Sequence, residues 1–172
     1  YGATLPELLV QRSAELGQSI VALTDRDGLY AAVRWVRECS RLGIRPVLGV
    51  DIAVEATQAA RMHPDVQART PARGGRWIDE TRPRVLLLAT GSRGWASLCR
   101  LVSAAHIGDH TARGEPWVPW SALREHSEGI VVILGADSEV GRYLADERAT
   151  LAEAAMRPWR AVFDRYLAIG VT

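Results

Sequence analysis

The chain contains no lysine and no asparagine, so its basic side chains are all arginine apart from the histidines. The 21 arginines are matched by 20 Asp and Glu residues, which leaves a formal net charge of +1. A balance this close argues against a strongly basic surface, so composition alone indicates no nucleic-acid partner. The arginine bias is instead typical of the codon usage of a GC-rich genome.

Cysteine and long apolar runs are scarce as well. Cys39 and Cys99 lie in helical patterns without CxxC spacing, which predicts reduced core thiols rather than a disulfide or a zinc site. No apolar run approaches the roughly 18 residues that a membrane span needs, and no basic-then-apolar leader is present. With 172 residues, of which 48% are hydrophobic, the chain is expected to form one cytoplasmic globular domain without a membrane partner.

Both termini are expected to be cut from a longer protein. The chain begins at Tyr1 rather than at methionine, and it stops inside a strand-like run at 166–172 without a turn or a polar tail.

Helix and strand patterns alternate in the first half of the chain. Thr4 and Glu7 form a capping-box pattern that predicts the start of a helix. A buried strand at 20–23, a helix closed by Gly43 and a second strand at 46–50 are predicted to follow. A strand, a helix and a strand in this order predict a βαβ unit with parallel pairing.

Periodicity disappears between Glu55 and Arg84, where proline, glycine and arginine accumulate. An arginine-rich loop could contact a phosphate backbone, but acidic residues within it dilute the charge. A solvated insertion between two strands, at about 56–84, is therefore the preferred interpretation.

The histidines do not predict a metal site. His106 and His110 are four residues apart, but Gly108 and Asp109 lie between them and are expected to end the helix. His63 lies in the insertion, away from any recognisable helix or strand. No catalytic or cofactor-binding residue is predicted from this set.

The second half repeats the alternation of strands and helices. The predicted elements are a strand at 85–89, a helix with an apolar stripe over 95–105, a short helical segment at 121–126, a strand at 130–134 and helices at 138–145 and 148–163. The fold class predicted from these patterns is α/β with mainly parallel strands.

Two acidic residues follow consecutive predicted strands. In parallel α/β sheets, working residues stand at the carboxyl ends of the strands, and Asp25 and Asp51 occupy that position. Two carboxylates are too few for a zinc or manganese site, and the neighbouring Arg26 cannot ligate a metal. The residues alone leave open whether Asp25 is a metal ligand, a helix cap or an ion-pair partner of Arg26.

Several ordered blocks of the chain resemble one known family. They are residues 6–52, 86–106 (LLLATGSRGWASLCRLVSAAH), 114–135 (GEPWVPWSALREHSEGIVVILG) and 143–169. These blocks resemble the PHP (polymerase and histidinol phosphatase) domain of bacterial C-family DNA polymerases, the DNA polymerase III alpha subunits. The segment ALTDRDGLYAAVRW is most similar to the error-prone, DNA-damage-associated branch.

The resemblance implies a distorted (β/α)7 TIM-like barrel that is incomplete in this chain. The whole of 1–172 is then a PHP domain segment, and the polymerase palm, fingers and thumb lie outside it. The family's His-x-His strand would precede Tyr1, and its last strands would follow Thr172.

The resemblance also implies a metal site with altered ligands. Asp25 matches the Asp of the family's Thr-Asp-His motif, Arg26 replaces the His, and Asp51 stands where metal-binding members carry Glu. Both aspartates are therefore predicted to be vestigial metal ligands, and zinc or manganese binding is doubtful. We hypothesise that Arg26 takes over the electrostatic role of the metal by pairing with Asp25 and Asp51.

For the parent protein the resemblance implies a DNA-directed DNA polymerase, a nucleotidyltransferase that uses Mg²⁺ and acts in DNA replication and repair past damage. Its implied partners are DNA, dNTPs, the rest of the polymerase chain, the sliding clamp and mutagenesis accessory proteins. The segment alone is expected to be structural rather than catalytic. The alternatives are a segment of the main replicative subunit and a free-standing PHP phosphoesterase.

Overall fold

The structure is a computed structural model that describes residues 4–58, 70–71, 77–78, 82–108 and 115–171. The helices are α1 (Pro6–Glu15), α2 (Ala32–Leu42), α3 (Gly91–Ile107), α4 (Trp120–Glu125), α5 (Glu139–Ala145) and α6 (Ala149–Phe163). The strands are β1 (Ile20–Arg26), β2 (Arg45–Ala53), β3 (Thr70–Pro71), β4 (Trp77–Ile78), β5 (Arg84–Ala89), β6 (Ile130–Leu134) and β7 (Leu167–Ile169), the last preceded by a 3₁₀ turn at Asp164–Tyr166. These elements confirm the predicted α/β class.

One five-stranded sheet has the strand order β1-β2-β5-β6-β7. Strand β1 is parallel to β2 and β6 is parallel to β7, whereas β5 is antiparallel to both of its neighbours. The predicted parallel βαβ unit is confirmed, but the expectation of mainly parallel strands is wrong because of β5. Within the described residues the sheet is open at β1 and β7, which is consistent with an incomplete barrel.

The ends of the first two helices test the predicted caps. Helix α1 has Leu5 at its N-cap, without a side-chain cap hydrogen bond, so the capping box of Thr4 and Glu7 is wrong. Helix α2 ends as predicted at Gly43, whose left-handed φ of 68° lets its N–H bond the last turn. Strand β7 is shorter than the predicted run at 166–172.

Buried side chains form two cores. The larger core joins β2, β5 and β6 to α3, α5 and α6, and its fully buried members include Ile52, Leu87, Leu98, Leu101 and Ile130. The smaller core lies under α1 and α2 and consists of Val10, Trp35, Cys39 and Ile44.

Both cysteines are free thiols, as predicted. Burial raises the pKa of Cys39 and of Cys99 above the ordinary thiol value, which keeps both in the unreactive protonated form near neutral pH. None of the helices in the described part of the chain combines the length and the hydropathy needed to cross a bilayer.

Candidate functional site

The carboxyl ends of β1 and β2 bring the predicted site residues to one edge of the sheet. In the parallel register of these strands, Asp25 lies opposite Val50 and Arg26 lies opposite Asp51. Because β5 runs in the opposite direction, its first residue, Arg84, lies at the same edge. The cation at this edge, Arg84, was not predicted from the sequence to be a site residue.

Arg84 connects three segments at this edge. Its Nε donates to Asp51 Oδ1 at 2.9 Å, and its Nη2 donates to Asp27 Oδ1 and to the Asp51 carbonyl oxygen, both at 2.8 Å. The Arg84 side chain is only 8% exposed. A guanidinium buried to this degree requires paired acceptors, and the two carboxylates supply them.

Asp27 also makes several contacts in this charge cluster, which consists of Arg26, Asp27, Asp51 and Arg84. Its φ of 58° lies in the left-handed region, which is uncommon for a residue with a side chain. Its backbone N–H donates to the Asp51 carbonyl at 2.8 Å, and its Oδ2 lies 3.5 Å from Arg26 Nε. His106 Nε2 lies 2.6 Å from the Asp27 carbonyl oxygen, and since that oxygen can only accept, Nε2 carries the proton.

Asp25 acts on the start of helix α2. Its Oδ2 accepts a hydrogen bond of 2.8 Å from the backbone N–H of Ala31, the N-cap residue of that helix. This N–H belongs to the group of donors at a helix start that have no partner inside the helix. Of the three roles that the sequence left open for Asp25, this contact supports the capping role.

The ion pairs add partners to those named in the hypothesis that Arg26 bridges Asp25 and Asp51. Asp51 pairs with Arg84, and Arg26 Nε lies 3.5 Å from Asp27 Oδ2. Arg26 lies opposite Asp51 in the register of β1 and β2, and its pairing with Asp25 and Asp51 stays a prediction.

The described residues do not fit a zinc or manganese site at this edge. Each aspartate already has one carboxylate oxygen engaged by a donor, Asp25 by Ala31 and Asp51 by Arg84. Within the described ranges, no group of three or more His, Cys, Asp or Glu side chains is placed to hold a metal ion. The idea that Asp25 and Asp51 descend from metal ligands stays a prediction.

A second polar contact ties the loop after β2 to the start of α5. Glu139 is buried and accepts from the backbone N–H of Thr57 at 2.7 Å and from its hydroxyl at 2.9 Å. In the turn that precedes α5, the Asp137 carbonyl accepts a hydrogen bond of 3.0 Å from the backbone N–H of Arg84. The predicted insertion at about 56–84 therefore begins and ends with residues that belong to the packed fold.

Two local sequence signals could have identified Asp27 and Arg84, which the sequence analysis did not predict as site residues. Asp27 and Gly28 form an Asp-Gly pair, which is a strong turn signal and favours a left-handed Asp. Arg84 directly precedes a buried apolar run, so its burial could have been suspected. His106 lies in the last turn of α3, which Gly108 ends as predicted, while His63 and His110 lie outside the described residues.

Comparison with known proteins places the chain in a family. Residues 1–171 match the model of the PHP domain. An "Error-prone DNA polymerase" of Mycobacterium tuberculosis (strain ATCC 25618 / H37Rv) is 37% identical over 128 residues, which cover 74% of this chain and 10% of that protein. A "DNA polymerase III subunit alpha" of Xylella fastidiosa is 27% identical over 164 residues, which cover 95% of this chain and 12% of that protein.

The chain thus spans about a tenth of the length of these relatives. Among solved structures, an amidohydrolase from Chromobacterium violaceum superposes with a TM-score of 0.49 at 13% identity, covering 90% of this chain and 70% of that chain. Because the family match extends over nearly every residue, this chain belongs to the PHP domain family.

Proposed function

We propose that this chain is the PHP segment of a bacterial error-prone DNA polymerase, and that the segment is a scaffold in which an arginine takes the place of a metal ion. Relatives named as DNA polymerases support the first part. The 37% identity to an error-prone enzyme, against 27% to a polymerase III alpha subunit, supports the branch. The contact of Arg84 with Asp51 and Asp27 is the observation that carries the second part.

Electrostatics supports the scaffold role. A divalent cation bound by Asp51 would lie beside the Arg84 guanidinium, whose Nε is 2.9 Å from Asp51 Oδ1. Two unit charges 4 Å apart repel by about 4 kcal/mol at the effective dielectric of a protein, and a divalent ion doubles this. Metal binding would therefore require Arg84 to leave its buried position and its three hydrogen bonds.

In this proposal the polymerase reaction belongs to the parent protein and not to this segment. DNA and dNTPs bind elsewhere in the parent, where carboxylates hold Mg²⁺ for nucleotidyl transfer. The rest of the polymerase packs on the PHP segment, and the sliding clamp and mutagenesis accessory proteins remain proposed partners of the whole protein, which acts in the cytoplasm on damaged DNA.

Primer extension by the purified parent polymerase, together with its metal content by mass spectrometry, tests both parts. We expect Mg²⁺-dependent extension on an undamaged template and past an abasic site, with zinc and manganese far below one ion per chain. Asp25→Asn keeps the acceptor for Ala31 and is expected to change neither result. Failure to extend any primer would overturn the polymerase assignment, and one zinc or manganese per chain that Asp25→Asn removes would overturn the scaffold.

The main replicative polymerase is the second candidate. The Xylella fastidiosa relative supports it because the match covers 95% of this chain. Extension of undamaged templates with arrest at the abasic site would favour this candidate over the error-prone branch.

A further inference from the structure

A cavity of about 450 Å³ opens between the loop after β2 and the helices α4 and α6. Its walls are formed by Thr57, Gln58, Trp120, Arg124, Ala154, Arg157 and Pro158. The volume lies within the range of small-molecule sites, which is roughly 300–1,000 Å³. None of these residues belongs to the charge cluster, so the cavity is a separate candidate site.

Contacts behind the cavity hold its walls in place. The buried Glu139 accepts from the N–H and from the hydroxyl of Thr57 at 2.7 and 2.9 Å. Glu55 Oε2 accepts from the Trp120 N–H at 2.9 Å, and the Trp120 ring packs on Trp159 with their centroids 4.5 Å apart. A ligand that enters a preformed site has less ordering entropy to overcome, which favours binding.

Two arginines at this cavity supply positive charge. The Arg124 guanidinium lies 5.9 Å from the centroid of the Trp120 ring, and Arg157 Nη2 lies 3.7 Å from Glu153 Oε1. Since the Arg157 and Glu153 side chains are 74% and 67% exposed, their ion pair contributes little and yields easily to a ligand. A phosphate monoester, with a charge of about −1.5 to −2 at neutral pH, matches two guanidinium groups better than a carboxylate does.

Helix α6 adds a hydrogen-bond acceptor to the same wall. Pro158 lies inside this helix and has no N–H, so the Ala154 carbonyl loses the hydrogen bond that residue 158 would otherwise donate. Ala154 and Pro158 are four residues apart and both line the cavity, which places this carbonyl at the cavity wall. The matching ligand therefore carries an N–H or O–H donor in addition to its phosphate, as a nucleotide does.

We infer that this cavity binds a nucleoside monophosphate. Arg124 and Arg157 hold the phosphate, and the Ala154 carbonyl accepts a hydrogen bond from the nucleoside. The Pro158 ring and the exposed part of Trp120 supply apolar contact. The inference goes beyond the proposed function and does not depend on it, because the cavity is built from residues to which that function gives no role.

Photolabelling of the full parent protein with an azidoadenosine monophosphate tests the inference. We expect saturable labelling of peptides that contain residues of the cavity, and mapping by mass spectrometry separates these from labelled peptides elsewhere in the parent. Arg124→Ala and Arg157→Ala are each expected to weaken the labelling affinity about ten-fold, because each removes a hydrogen bond to a charged group. Arg93→Ala, which removes an arginine that is 82% exposed and outside the cavity, is the matched control and is expected to leave the affinity unchanged.

Pro158→Ala tests the carbonyl without endangering the fold. The variant restores the N–H that bonds the Ala154 carbonyl, and it removes a residue that is unfavourable inside a helix. We expect a higher midpoint of urea unfolding together with several-fold weaker labelling, so that unfolding cannot explain the loss. Unchanged labelling in this variant, or in both arginine variants, would overturn the inference.

Competition with unlabelled compounds identifies the ligand class. Adenosine monophosphate is expected to suppress the labelling, and adenosine, which lacks the phosphate, is expected to leave it. Equal competition by adenosine would overturn the inference, and so would stronger competition by a single-stranded oligonucleotide, because a DNA strand would then be the ligand. Primer extension by the same preparation keeps the two proposals apart: extension without labelling of the cavity refutes only the nucleotide site, and labelling without extension refutes only the polymerase assignment.

Discussion

At the scale of single residues, Arg84 is the side chain on which the sheet edge depends. We predict that Arg84→Met destabilises the folded protein by about 3 kcal/mol, because it removes the Arg84 cation from two partly buried carboxylates. The estimate takes the low end of the range for buried pairs, since Asp27 and Asp51 are 23% and 27% exposed. Urea unfolding of the parent protein, followed by circular dichroism, measures the change.

The control for this prediction is Arg93→Met, which removes an arginine paired with Glu128 but 82% exposed. Its expected effect is below about 1 kcal/mol, as for other surface ion pairs. Equal losses from the two variants would show that the Arg84 contacts contribute no more than a surface pair does.

Sequence patterns predicted this site only in part, for reasons that differ between residues. Asp25 and Asp51 lie near the carboxyl ends of β1 and β2, as the apolar runs predicted, although both strands continue past the predicted ends at residues 23 and 50. Arg84 was missed because it lies beside Asp51 only if β5 is antiparallel to β2. An apolar run predicts a strand but not whether that strand is parallel or antiparallel to its neighbour. The contacts of Asp27 with Arg84 join residues 57 positions apart, a separation that no local pattern encodes.

At the scale of elements, α3 packs on the turn before β6 through two glycines. A Cβ added to Gly94 would lie 2.1 Å from the Gly129 carbonyl oxygen, which already accepts from Thr90. We predict that Gly94→Ala costs about 1–3 kcal/mol, because the backbone must move to relieve the clash. The midpoint of urea unfolding is expected to fall accordingly.

Gly135→Ala is the matched variant, since a Cβ there meets nothing within 4 Å. It is expected to change the free energy of unfolding by less than about 0.5 kcal/mol. If Gly94→Ala changed the free energy of unfolding as little as Gly135→Ala, the close approach of α3 to the turn before β6 would be incorrect.

The contact between α1 and α2 predicts a pH dependence. Hydrogen bonds from Arg41 and from Gln11 lower the pKa of Glu38 from 4.5 to about 2. Because the folded-state pKa lies below the unfolded one, Glu38 contributes its full stabilisation above pH 4.5 and loses it as the pH falls toward 2. The difference in unfolding free energy between wild type and Glu38→Gln should therefore shrink across this window.

Chemical unfolding at several pH values measures that difference. Glu15→Gln serves as the control, because Glu15 forms an exposed pair with Arg12 on the same helix and should contribute little at any pH. A pH-independent difference for Glu38→Gln would contradict the prediction.

At the scale of the whole molecule, the open sheet leaves apolar surface beside its edges. Leu8 and Leu9 on α1 and its cap residues Leu5 and Leu16 are exposed, and β1 is the outer strand on one side of the described sheet. Uncovered strand edges pair readily with other chains. We predict that residues 1–172 expressed alone aggregate, whereas the parent protein stays monodisperse in size-exclusion chromatography coupled to light scattering.

A monodisperse segment that melts cooperatively would contradict this prediction.

The general fold was predictable because helix and strand periodicities are local. The division into two cores was not, because it depends on which elements pack together and not on the order in which they occur.

The reversed direction of β5 has a consequence for sequence divergence. The link between β2 and β5 is clamped at its base, where the Val54 N–H bonds the Pro83 carbonyl and the Arg84 N–H bonds the Asp137 carbonyl. We expect residues added or deleted inside this link to leave both hydrogen bonds and Arg84 in place. Orthologues are thus expected to tolerate changes of length here, and a fluorescent label grafted into the link should report on the parent protein without disturbing its fold.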